Sequence, residues 1–98
     1  MVTTHIRSPI IFINESVDKS DPDSTIRSRL WWPRLCQGDN DGNVLVADTL
    51  NNRFLVLSAT GEWYNVKLDH KIIRPWDAVY LDERFYVITD NGGLYMFE

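Results

Sequence analysis

The amino-acid sequence predicts an all-β chain built from about two four-stranded antiparallel units. Two observations carry this. A pattern of turn, apolar run, polar loop and apolar run recurs after 42 residues, so that Pro33 matches Pro75, Val46 matches Ile88 and Asp48 matches Asp90 without a gap. Self-similarity at a fixed period of this length marks a repeat architecture. The apolar runs are also short, rich in β-branched and aromatic residues, and bounded by Gly, Pro, Asn and Asp, as strands are. No helical pattern interrupts them.

Taken in order, residues 9–13 read as one short strand, opened by Pro9. Residues 14–29 are polar, alternate serines with Asp18, Asp21 and Asp23, and contain Pro22, so they predict a long loop or disordered linker. The repeat region begins near Trp32. Asn40-Asp41-Gly42 is a tight-turn signal, with Gly42 available for a positive φ. Val44 to Ala47 is continuously apolar and suits a strand buried on both faces. Thr49 to Asn52 is a polar turn, Phe54 to Leu57 the next strand, and Ala59 to Glu62 another turn. Tyr64, Val66 and Leu68 then alternate with Trp63, Asn65 and Lys67, which predicts an outermost strand with one wet face.

The second copy repeats this order. Trp76 to Leu81 and Phe85 to Ile88 read as strands around the turn Asp82-Glu83-Arg84, and Leu94 to Phe97 follows the turn Asn91-Gly92-Gly93. The sequence ends at Glu98, before a fourth strand of this copy. A four-stranded unit of about 40–45 residues is the sequence signature of a β-propeller blade. The expected organisation is an N-terminal strand and polar segment over 1–31. A partial propeller would follow over 32–98, with blades at 32–73 and 74–98, the second incomplete.

Composition narrows the function. The 98 residues are 44% hydrophobic and 24% charged, ordinary for a globular chain, with a net charge of -4. Acidic balance disfavours phosphate-backbone binding, and the only basic cluster, Arg27, Arg29 and Arg34, is flanked by Asp21, Asp23 and Asp39. The single cysteine, Cys36, forms no internal disulfide and fits a reducing, cytoplasmic setting; with no histidine nearby it reads as a packed, inert thiol. The longest early apolar run, Ile10 to Ile13, is far short of the ~20 residues of a membrane span.

The repeat resembles the NHL repeat of β-propellers. Asp39-Asn40-Asp41-Gly42-Asn43, Val46-Ala47-Asp48-Thr49 and Asn51-Asn52-Arg53 match its pattern in order, and Pro75, Ile88 and Asp90 match in the second copy. Gln37-Gly38 departs from it where Val79-Tyr80 stand one period later, which predicts a poor first strand, and the second copy shortens the Asn51-Arg53 turn by two residues. The family closes several blades into a binding platform, found in tripartite-motif ubiquitin ligases, where it recruits protein or RNA. The resemblance therefore implies a non-catalytic interaction module. It would bind a protein partner or further blades, and self-associate through its uncovered faces. RNA is disfavoured by charge, and no membrane is implied.

Candidate site residues follow. Thr49, Asn51, Asn52 and Arg53 occupy a connecting loop, where propellers carry recognition, and form the binding candidate. Asp39, Asp41, Gly42, Asp48 and Asp90 read as structural turn residues, the last two accepting backbone N–H bonds from the turns that follow them. Gln37 to Asp48 partly mimics a calcium loop, but its flanks are strands where that loop needs helices. His5 and His70 have no zinc-type spacing, and no nucleophile elbow or phosphate loop occurs, so neither metal, cofactor nor catalytic residue is expected. Trp31, Trp32, Trp63 and Trp76 are expected to fill gaps between blades. A piece of a propeller enzyme, hydrolase or lyase, is the competing reading.

Overall fold

A computed structural model describes residues 3–14 and 30–98, and the described part is all-β with one short 3-10 turn. The expected polar loop falls mostly on residues 15–29, outside the described residues. The strands are β1 (Thr4–Ile6), β2 (Ile11–Asn14), β3 (Pro33–Gly38), β4 (Val44–Asp48), β5 (Arg53–Leu57), β6 (Trp63–Lys67), β7 (Pro75–Leu81), β8 (Arg84–Thr89) and β9 (Leu94–Phe97). They form two sheets, in the orders β2-β6-β5-β4-β3 and β1-β9-β8-β7.

Three turns share one geometry. In Asp39–Asn43, Ser58–Glu62 and Thr89–Gly93, the first N–H reaches the fifth carbonyl and the fourth N–H returns to the first carbonyl. The fourth residue is Gly42, Gly61 or Gly92, at φ 86°, 86° and 88°. That region favours glycine, because a side chain there clashes with the backbone. The first residue supplies a side-chain oxygen that accepts a later N–H: Asp39 from Asp41 and Asn43, Ser58 from Glu62, Thr89 from Gly93. The polar-then-Gly pattern of the sequence is therefore one turn written three times.

The N-terminal segment differs from its expectation. It forms two strands, not one. β1 pairs parallel to β9, with Ile6 opposite Phe97, and takes the fourth place in the second sheet that the short second copy leaves. β2 pairs antiparallel to β6, with Phe12 opposite Val66. β6 is thus an inner strand, and its expected alternation fails: Trp63, Tyr64 and Asn65 are all half-buried. Between β1 and β2, the buried Ser8 hydroxyl accepts the Asp69 N–H at 2.9 Å, so the segment stitches both sheets together.

The core lies between the sheets. Leu45, Ala47, Phe54 and Val66 of the first meet Ala78, Phe85, Val87 and Phe97 of the second. Phe54 meets Phe85 edge to face at 5.1 Å, a geometry that adds about 0.5–1.5 kcal/mol beyond area burial. Leu45 and Val87 stand one period apart, and both face this shared core; their neighbours Val46 and Ile88 both lie outside it. The two copies therefore pack with equivalent faces toward each other. Counting from these equivalent positions, Val46 to Leu55 spans nine residues and Ile88 to Leu94 six, so the second copy is shorter by three residues, not two.

Candidate functional site

The loop after β4 is built around Asp48. This carboxylate is fully buried and accepts three hydrogen bonds: from the Trp31 N–H (2.6 Å), from Asn51 Nδ2 (2.9 Å) and from Arg53 Nε (2.6 Å). None of these donors is a backbone N–H of the following turn, so the expected turn bond is replaced by a charged knot. Thr49 is buried, and its hydroxyl donates to the Pro75 carbonyl at 2.8 Å. Asn52 takes a left-handed conformation at φ 55°, and its Oδ1 accepts the Arg74 N–H at 2.8 Å. Thr49, Asn51, Asn52 and Arg53 thus come together as expected, but each engages the chain's own groups. Thr49 and Asn52 tie the first sheet to the start of β7.

Asp90 repeats only part of this. It forms an ion pair with Arg74 at 2.9 Å, and both side chains stay well exposed. Trp32 and Arg74, one period apart, share a left-handed backbone at φ 55° and 53°. In both copies, then, the aspartate at the end of the second strand anchors the chain that enters the first.

Asp39 and Asp41 lie at the opposite end of β4 from Asp48, so the calcium-like spacing is not assembled into a site. Asp39 is held below the usual carboxylate range, first by the Asn43 side-chain amide and then by the Asn43 N–H. Among the described residues no group of three or more His, Cys, Asp or Glu side chains is placed to hold a metal ion.

The sheets part at this turn end. A cleft of about 460 Å³ opens there, walled by Ile10, Phe12, Val56, Tyr64, Tyr80 and Phe85, with Asp39 and Asn43 at its polar side. Its size is that of a small-molecule or side-chain pocket. Phe12 and Tyr80 meet across it, edge to face, at 6.4 Å.

The strands β3 and β7 are edges of their sheets, lie against each other and run in the same direction. Arg34 sits 4.5 Å above the Trp76 ring and 3.9 Å from the Asp77 carboxylate. Three residues on, Gln37 clamps the backbone of Tyr80: its Nε2 donates to the Tyr80 carbonyl (3.1 Å) and its Oε1 accepts the Tyr80 N–H (2.7 Å). The side-chain amide satisfies edge groups of β7 that would otherwise invite another strand. This explains the departure at Gln37-Gly38. β3 is not a failed strand; it bulges between Leu35 and Gln37, which aims the amide at β7.

Cys36 sits at this bulge. Burial, and next the neighbouring Asp77 carboxylate, push its thiol from 9.0 up to about 11. A thiol held protonated is a poor nucleophile.

The edge pair also gathers apolar surface. Of the twelve exposed large hydrophobic residues among those described, eight lie on β3 and β7 or within two residues before them. They are Trp31, Trp32, Leu35, Ile73, Trp76, Val79, Tyr80 and Leu81. Three of the four tryptophans are therefore exposed, against the expectation that they fill interior gaps. Sequence reading missed this surface, because residues more than forty apart, such as Arg34 and Trp76 or Gln37 and Tyr80, meet only through the packing of β3 on β7. Among the described residues no helix is long and apolar enough to cross a membrane. No family model, curated protein or solved structure matches the chain.

Proposed function

We propose that this chain is a non-catalytic protein-interaction module, related in its repeats to the NHL-type β-propeller, with the β3–β7 edge as its contact surface. The observation that carries the reading is the set of eight exposed apolar residues on, or within two residues before, two adjacent edge strands. Exposed apolar patches mark interaction surfaces on folded proteins, and tryptophan and tyrosine are enriched among the residues that dominate binding. The Gln37 clamp gives the contact its mode: with Tyr80 already bonded, a partner meets side chains on β7 rather than adding a strand there.

The reading departs from the family on stacking. Blades related by rotation about a ring axis present equivalent residues in one rotational sense, so Leu45 and Val87 would not share a core. Here they do. The module we propose keeps the repeat's strand order, turn chemistry and binding role, in a pair of sheets closed face to face.

A photoreactive residue placed at position 35 tests this in cells. Covalent protein adducts are expected from position 35 and not from position 67, where the exposed Lys67 lies on β6. No adduct from position 35, or the same adducts from both, overturns the reading.

A further inference from the structure

We infer that the partner on the β3–β7 edge is a second copy of this chain. The inference rests on the interaction-module reading and names its partner.

Area is the first argument. From fractional exposures of 40–76%, the seven exposed apolar residues of this edge other than Tyr80, which walls the cleft, present on the order of 800 Å² of surface. A standard stable interface buries about 800 Å² per partner. The largest apolar patch of an ordinary monomer is roughly 300–600 Å². A self-complementary contact across this edge therefore has the surface that a lasting dimer needs.

Charge is the second. The chain carries -4 overall, which repels a second copy wherever that charge is concentrated. On this edge the charge is balanced: Arg34 pairs with Asp77 and lies over Trp76. The unbalanced carboxylates Asp82 and Glu83 lie in the turn at one end of β7. Two copies meeting through a two-fold axis bring apolar side chains together at the centre and leave those turns at the rim, where water screens them.

Sedimentation equilibrium of the purified full chain over a wide concentration range tests this, with Leu35→Glu/Val79→Glu as the disrupting variant and Ile11→Glu as the control. Ile11, 49% exposed, lies between Leu35 (76%) and Val79 (40%) in exposure but sits on β2. The expected result is a mass twice the chain's 11.4 kDa. The double variant should weaken association by roughly thirtyfold or more, the loss typical of replaced central anchors, and the control should not. Far-UV circular dichroism and thermal melting establish that each variant is folded; Trp32→Ser serves as a second probe if the double variant is not. A monomer at every concentration, or a dimer indifferent to both Leu35→Glu/Val79→Glu and Trp32→Ser, overturns the inference. In the first case, adducts from position 35 to a different protein leave the interaction module standing, and their absence removes both.

Discussion

The loop after β4 and the turn after β8 hold the same place in the two copies, yet they do different things. In the first, Asp48 and Arg53 are sealed away from water, and Thr49 and Asn52 reach across to β7. In the second, the connection shrinks to a Gly92 turn, and Asp90 meets Arg74 in the open. The physical difference is what each loop faces. The first has a neighbouring sheet to grip; the second has no following sheet within the described residues. A recurring aspartate therefore marks a common entry anchor, while the energy behind it depends on burial.

The sharpest test of that contrast compares Asp48→Ala with Asp90→Ala. Removing Asp48 leaves the Arg53 charge buried without its carboxylate and should cost about 3–5 kcal/mol. Removing Asp90 breaks an exposed pair and should cost no more than about 1 kcal/mol. Urea melts of both variants measure the difference, and equal losses would refute the distinction between the two loops.

Thr49→Val comes next. It keeps the shape and strips the hydroxyl from the Pro75 carbonyl, for an expected loss of about 1–3 kcal/mol. The same denaturant series reads it, and a neutral result would mean that the Thr49 hydroxyl contributes nothing to holding the sheets together, leaving Asn52 as the tie.

The turns come third. Gly42→Ala strains a positive φ and brings its Cβ to 3.0 Å from that of Ala59, whereas the same change at Gly61 meets open space. Gly61→Ala should cost about 1 kcal/mol and Gly42→Ala more. Equal losses in thermal melts would show that backbone strain alone sets the cost, since the two glycines share a φ of 86°, and a reversed ranking would refute the Ala59 contact.

The smallest expected effect belongs to Cys36. Its folded-state thiol titrates near 11, above the ordinary 9.0, so its contribution to stability is complete below pH 9 and is lost as pH rises toward 11. Cys36→Ser should flatten the decline of stability in that window. Asp77→Asn should speed alkylation of Cys36 at pH 8, because it removes a repelling carboxylate. Unchanged alkylation would assign the shift to burial alone.

Legibility in the sequence followed the range of the interaction. Turn chemistry is local: Asp39 with Gly42, Ser58 with Gly61, and the Asn91-Gly92 turn lie within five residues, and all three formed where expected. β1 was invisible, because Thr4 to Ile6 is three residues long and its partner strand lies some ninety residues away. The outermost place given to β6 failed for the same reason, since β2 arrives from the far end of the sequence to cover it. Gln37 stood out as a departure from the repeat, but its purpose required Tyr80 to be beside it.

The sequence by itself determined the strands of both copies, their antiparallel order and the glycine turns between them. These depend on β-branched runs and on backbone conformations that only certain residues adopt. Tertiary structure alone decided which faces met, where the N-terminal strands docked, that Asp48 and Arg53 were buried together, and that tryptophans expected inside lay along an open edge. A 42-residue period states that two units are alike. Their relative orientation comes from the summed packing of Phe54 on Phe85 and of β3 on β7, contacts between residues that no short stretch of sequence contains.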